Sequence, residues 1–223
     1  MPIASRPAAR RDREVAMKRC MAFAASLLAA AAPLAQTVRF DSDTLGRAPA
    51  GSTCGITGRG SPHWSVESDA SAPSPHHVLM QSGSGTFPWC VRADTAITDG
   101  FVEVKLKPLE GREDQAGGVI CRWKSGSNYY VARANALENN VSLYYTEGGN
   151  RRTLKYVNTP VSVGAWHTLR VDFAGARIAV MWNGKVLIKF EDAHISGPGG
   201  IGVWTKADSV TAFGDFSFGQ TKR

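Results

Sequence analysis

Phe101-Val102-Glu103-Val104-Lys105-Leu106-Lys107 alternates strictly between apolar and charged side chains from Val102 onward. A β-strand points successive side chains to opposite faces, so one face of this segment is buried and the other is wet. Trp166-His167-Thr168-Leu169-Arg170-Val171-Asp172-Phe173 repeats the pattern, with Leu169, Val171 and Phe173 on one face. Outward from these two segments, short strand-like runs recur at 37–41, 63–67, 77–81, 86–92, 117–123, 128–134, 141–146, 153–157, 176–182, 186–190, 200–204 and 212–218. No segment sustains a 3.6-residue apolar period. Many short strands separated by turn signals argue for an all-β sandwich or barrel. Asn183-Gly184 between two β runs is the leading signal for a type I′ hairpin, and Glu147-Gly148-Gly149-Asn150 reads as a looser hairpin loop. Residues 42–62 are rich in Gly, Ser and Pro and read as loop. Neither an internal repeat nor a linker is visible.

The first 35 residues are of another kind. Met17-Lys18-Arg19-Cys20 is basic, Met21 to Ala32 is an apolar run of 12 residues, and Pro33-Leu34-Ala35 precedes the polar Gln36. A basic start, a 7–15-residue apolar stretch and a small residue before polar sequence mark a secretory signal. The run is short of the ~20 apolar residues that span a bilayer. The leader is therefore assigned to residues 1–35, with Met17 as an alternative start, and localisation as periplasmic or secreted. Cleavage leaves residues 36–223, 188 residues with 20 basic and 17 acidic side chains, enough for one sandwich domain. The high overall pI is largely the leader's. The remaining charges are dispersed, with Arg151-Arg152 and the terminal Lys222-Arg223 as adjacent basic pairs, which argues against nucleic acid as a partner.

Three cysteines follow the leader: Cys54, Cys90 and Cys121. An oxidising compartment favours disulfides, and the odd number allows one bridge and one thiol. Cys54–Cys90 is the expected bridge, with Cys121 buried in a central strand. No CxxC or Cys/His cluster suggests zinc.

Asp114-Gln115-Ala116-Gly117-Gly118-Val119-Ile120-Cys121-Arg122-Trp123, followed by Asn128-Tyr129-Tyr130-Val131-Ala132-Arg133-Ala134-Asn135, then Trp166–Val171, Asn183-Gly184-Lys185 and Gly202-Val203-Trp204-Thr205-Lys206-Ala207-Asp208-Ser209, carries a family likeness. Over about residues 37–219 the chain resembles exported bacterial domains of the concanavalin A-like lectin/glucanase superfamily. It is most similar to the laminin-G-like and family-16-like group that includes domains named for 3-keto-disaccharide hydrolysis. The resemblance implies a two-sheet antiparallel β-sandwich, the concanavalin A-like jelly roll, with ligands on the concave sheet and a sugar-containing partner. It also implies the place for a structural calcium near the first and last strands, for which Asp41, Asp43 and Asp215 are the matching residues; no other cofactor is implied. Family-16-type glycanases carry Glu-x-Asp-x-x-Glu on one strand; this chain has Glu103-Val104-Lys105 as its best acidic strand and lacks that pattern.

The hairpin from Gly117 to Asn135 is the centre of interest. With a four-residue loop at 124–127, Arg122 faces Tyr129, and Arg122, Tyr129, Arg133 and Asn135 share the face opposite a core set of Val119, Cys121, Tyr130, Ala132 and Ala134. Guanidinium and amide groups hydrogen-bond hydroxyls or carboxylates, and an aromatic ring stacks on apolar sugar faces. Trp204 and Lys206 extend the candidate ligand set. The alternative is ordinary ion pairing for the arginines and groove filling for Tyr129. A lectin-like role without glycanase chemistry leads. A glycoside hydrolase acting on an oxidised or unusual sugar requires two converging carboxyls, for which Glu103, Glu138 and Asp208 are the candidates; a protein-binding envelope scaffold is the third reading. His167 reads as a satisfied core histidine. The leader assignment has a direct check: intact-mass analysis of the exported protein is expected to place its N-terminus at Gln36, and a mature start still containing the apolar run would overturn it.

Overall fold

The computed structural model describes Met1 and residues 35–221. The leader, its start and all but the last residue of its cleavage motif lie outside the described residues. None of the described residues is helical, and no helix among them is long and apolar enough to cross a membrane.

Two antiparallel sheets make the fold. The first runs β13 (Lys185–Glu191), β12 (Arg177–Trp182), β11 (His167–Ala174), β6 (Gly100–Glu110), β15 (Val210–Gln220), β4 (His77–Gln81), β3 (Trp64–Ser68), with β1 (Gln36–Val38) also on β15. The second runs β10 (Asn150–Asn158), β9 (Asn140–Glu147), β8 (Asn128–Asn135), β7 (Ala116–Ser125), β14 (Gly199–Thr205), β5 (Ser84–Ile97), β2 (Thr53–Ser61). The alternating faces read from the sequence meet between them. Val102, Val104 and Leu106 from β6, and Leu169, Val171 and Phe173 from β11, pack against Val119 and Cys121 from β7 and Tyr130 and Ala132 from β8 in one core. Each fully buried aliphatic or aromatic side chain contributes about 1.5–3 kcal/mol, so this layer holds the sheets together. His167 is a satisfied core residue: it stacks on Trp182 with ring centroids 4.6 Å apart, and its ring nitrogens meet the Ser162 carbonyl and the Asn183 amide.

Asn183-Gly184 makes the expected hairpin, with φ of 49° and 79° at the two turn residues, as a type I′ turn requires. Gly148 and Gly149 are also both at positive φ, so 147–150 is a tight two-residue turn rather than a loose loop.

Two readings of the sequence are corrected. Residues 53–61 are not loop but β2, the edge strand on β5. Its glycines misled: a Cβ on Gly60, which has φ 137°, would lie 2.3 Å from the Gly85 Cα, so glycine is needed where two paired backbones approach. The β7–β8 hairpin also differs. Cys121 faces Tyr130 as expected, but the register then shifts and Ser125 pairs with Asn128 across a two-residue turn. Arg122, at φ 50°, is the bulged residue and faces inward.

Cys54 and Cys90 occupy paired positions on β2 and β5 and form a disulfide. Cys121 is a buried free thiol whose pKa burial pushes up to about 12, which leaves it unreactive. The bridge closes a 36-residue separation, a loop for which chain-entropy arguments give about 3–4 kcal/mol. Replacing both Cys54 and Cys90 by Ser is expected to lower the unfolding free energy by about that amount in urea titrations, and an unchanged midpoint would refute it.

Candidate functional site

The outer face of the seven-stranded sheet carries its own apolar cluster: Trp89, Val91, Ile120, Tyr129, Val131, Tyr144 and Trp204. Strands in a sheet lie about 4.8 Å apart, so β10 and β5, five steps apart in the sheet order, would be separated by ~24 Å if the sheet were flat. Yet the guanidinium carbon of Arg151, on β10, lies 4.6 Å from the ring centroid of Phe87, on β5, and 5.5 Å from that of Trp204, on β14. It lies 4.3 Å from the Tyr144 ring on β9. Similarly, the Tyr129 hydroxyl on β8 hydrogen-bonds Thr57 Oγ1 on β2 at 2.8 Å. The sheet is curled and this face is concave.

Beside the aromatic floor lies a charge network. Asp114 is fully buried at the entry to β7. Its carboxylate accepts from Asn135 Nδ2 at 2.7 Å, meets Lys206 Nζ, and lies 3.7 Å from Arg133 Nη1. Asn135 Oδ1 in turn accepts from the backbone N–H of Leu137, at 2.9 Å, and of Glu138, which shapes the 136–139 turn. Arg133, 2% exposed, also donates to Asn140 at 3.1 Å and pairs with Glu138. A buried charge is stable only when paired, and each member here has a partner of opposite sign. Partial burial raises the pKa of Glu138, but hydrogen bonds from Asn140 and the charge and hydrogen bond of Arg133 outweigh it and hold the carboxyl below the usual range.

Five of the six candidate ligand residues, Tyr129, Arg133, Asn135, Trp204 and Lys206, gather at this face; Arg122 does not. The bulge turns Arg122 inward, where it donates to the carbonyls of Ile195, Thr98 and Gly175, lies 3.8 Å from Asp99 and covers the Phe173 ring. It is a structural tie. Tyr129 and Trp204 are on the expected face but fully buried, so neither offers an open ring for stacking. Asn135 is consumed by Asp114 and the turn. Lys206 and Glu138 remain as partly exposed polar groups at the rim, and Arg133 lies buried beneath them in the Asp114 network.

Of the carboxyl candidates, Glu103 stands apart from Glu138 and Asp208. Glu103 belongs to the other sheet, 3.7 Å from Arg170. Asp208 accepts the backbone N–H groups of Arg112, Glu113 and Asp114 at 2.7, 3.0 and 3.0 Å, which together hold its pKa below the ordinary value. Retaining glycosidases use two carboxyls about 5–5.5 Å apart; Glu103 lies on one sheet and Glu138 in a turn of the other, and the Asp208 carboxylate accepts three backbone N–H groups. Among the described residues no group of three or more His, Cys, Asp or Glu gathers to hold a metal, so Asp41, Asp43 and Asp215 are not brought together in that way. Asp43 accepts from the Ala50 N–H and Asp215 from the Ser74 hydroxyl.

Sequence reasoning missed Arg151, Asp114, Tyr144 and Phe87. Arg151 was legible: a two-residue turn at Gly148-Gly149 puts it opposite Thr146, which faces Tyr129, so all three share the outer face. Around the Tyr144 ring, whose centroid is also 5.5 Å from the Arg133 guanidinium carbon, buried donors stand without a hydrogen-bond partner: Arg133 Nε, Arg151 Nη1, Trp204 Nε1 and Thr146 Oγ1.

No protein-family model matches this chain, and no curated protein matches it in sequence. Solved structures do match in fold. A carbohydrate-binding module, CBM66 from Bacillus subtilis, is 19% identical and superposes with a TM-score of 0.62 over 76% of this chain and 96% of that one. The cellulose-induced protein Cip1 is 13% identical, with a TM-score of 0.62 over 84% and 98%. The exoplasmic/lumenal domain of VIP36, in a Ca2+/Man-bound form, is 9% identical, with a TM-score of 0.54 over 85% and 90%. The fold shared with these structures is a two-sheet antiparallel jelly roll.

Asp208 gives a pH test of the loop that positions Asp114. Its folded pKa lies below the unfolded value of about 3.9, so its stabilisation is present above that value and is lost as pH falls through the folded pKa. Asp208→Asn is expected to be less stable than the parent at pH 7, with the difference in melting temperature shrinking below about pH 4; a pH-independent difference would contradict it.

Proposed function

We propose that the protein is an exported, lectin-like, carbohydrate-interacting domain that holds its ligand on the concave face of the seven-stranded sheet and has no paired-carboxylate glycanase chemistry. The observation that carries this reading is the gathering of Arg133 and Arg151 against the Tyr144 ring, with Glu138 paired to Arg133 and Lys206 to Asp114 beside it. Guanidinium, ammonium and carboxylate groups in a concavity are the donors and acceptors that hydroxyl-rich ligands need. The neighbouring folds support it, since one is a carbohydrate-binding module and another a lumenal domain described with bound Man. Export is supported by the leader-like sequence and by the Cys54–Cys90 bridge, because disulfides persist in oxidising compartments. A structural calcium is carried as part of the same test.

The test is a glycan array with and without calcium, read for bound protein and for released products. Retention on at least one glycan without product is expected, and Lys206→Ala combined with Glu138→Gln is expected to weaken it by roughly tenfold. Product release would favour hydrolysis; silence across the array would remove the carbohydrate reading.

A further inference from the structure

Cations on the concave face are not equally partnered. Arg133 has Glu138 and Asp114, and Lys206 has Asp114. The guanidinium of Arg151 has no ion pair and no hydrogen bond among the described residues; it rests on the rings of Phe87, Tyr144 and Trp204. Three cations thus face two carboxylates on this surface. Guanidinium stays protonated at any physiological pH. Burial pulls its pKa down and the nearby Arg133 adds to that, while Tyr144, the Asp114 carboxylate and Tyr129 act in the opposite sense without reversing it. A partly desolvated charge without a contact ion pair, held only by rings and the more distant Asp114, is costly until a counter-charge arrives.

A second observation points the same way. Three obligate donors on this face, Arg133 Nε, Arg151 Nη1 and Trp204 Nε1, have no hydrogen-bond partner among the described residues, as is also the case for Trp64 Nε1 and Arg122 Nε elsewhere. Buried donors without acceptors are rare in proteins. Arg133 is 2% exposed and Trp204 fully buried, so exposure to bulk water does not account for either. A surface of donors with surplus positive charge calls for an acceptor-only anion. The aromatic floor, in turn, is already covered by Arg151, so a neutral sugar does not find the open ring that stacking requires.

We propose that the concave face is selective for acidic glycans, and that an anionic group on a sugar ring, a carboxylate or a sulfate ester, docks against Arg151. This rests on the carbohydrate reading above and narrows it to a ligand class. Arg151 supplies the counter-charge, and its planar fork matches two oxygens at once. Lys206 and Glu138 lie at the rim, where they meet hydroxyls of the same or the next residue.

The test compares affinities of the purified protein for polygalacturonate and alginate, for their carboxyl-reduced forms, and for chondroitin sulfate and its desulfated form. At least one acidic polymer is expected to bind ten times or more tighter than its neutralised partner, less so as NaCl rises from about 50 to 300 mM. Which arm responds identifies carboxylate or sulfate. Arg151→Met keeps an apolar stem over the rings and removes the charge; it is expected to cut affinity by roughly 10- to 100-fold. Arg152→Met removes the same charge from the neighbouring exposed position and is expected to change binding by less than about twofold. If Arg151→Met lowers the melting temperature by more than about 5 °C, Arg151→Lys is read instead, with an expected loss of severalfold because lysine lacks the fork. Equal binding of acidic and neutralised polymers, an unchanged Arg151 variant, or an equal loss in Arg152→Met overturns the proposal while leaving carbohydrate binding intact. No binding to any of these polymers overturns this proposal, and the glycan array decides the carbohydrate reading separately.

Discussion

A seven-stranded sheet with Trp204, Tyr129, Tyr144 and Ile120 on its outer side has a second apolar surface to remove from water. The described residues include no helix to cover it. The solution is curvature. When the sheet curls, its outer side chains converge and shield one another, and the Arg151 side chain reaches from β10 to Phe87 of β5 across the hollow. The link between Thr57 and Tyr129 spans the same hollow from the other edge. Fully burying aromatic side chains in this way contributes a few kcal/mol each, so the curl is a stabilising feature before it is a functional one. The concave face, the closed aromatic floor and the outward position of Arg151 all follow from it.

The buried carboxylate of Asp114 organises the adjoining half of the face. It stands where the entry of β7, the end of β8 and the segment after β14 meet, and Asn135, Arg133 and Lys206 converge on it from the latter two. Asp208 holds the approach loop by three backbone N–H groups. One buried negative charge therefore fixes the direction of two cations, and a third, Arg151, is left to the aromatic rings. Cation–π contacts stabilise a guanidinium but do not neutralise it. This asymmetry separates the Arg151 environment from that of Arg170, which also lies over a ring, that of Phe101, but keeps Glu103 and Asp172 beside it.

Strand alternation on β6 and β11, the Asn183-Gly184 hairpin, and the identity of the core face of β7 and β8 were all legible in the sequence. Each depends on a local rule: two-residue periodicity, or the left-handed backbone that Asn and Gly adopt cheaply. β2 was not legible, because its glycines serve a close approach to β5 that no local pattern announces. Arg122 was misplaced for the opposite reason. Its alternation was read correctly as far as Cys121, but a bulge depends on what each side chain gains on either face, and Arg122 gains three buried carbonyls and Asp99 by turning inward.

By itself the sequence determined the all-β class, the pairing of apolar faces and the side of β8 on which Tyr129, Arg133 and Asn135 lie, since these need only the period of a strand. Only the tertiary structure decided that Trp204 and Tyr129 are closed off, that Asp114 is buried rather than in an open loop, that Glu103 is remote from Glu138, and that Arg151 crosses the hollow without an ion pair. Those outcomes depend on sheet order and curvature, which bring residues from strands several steps apart into contact, and curvature is set by the summed packing of the fifteen strands among the described residues rather than by any one segment.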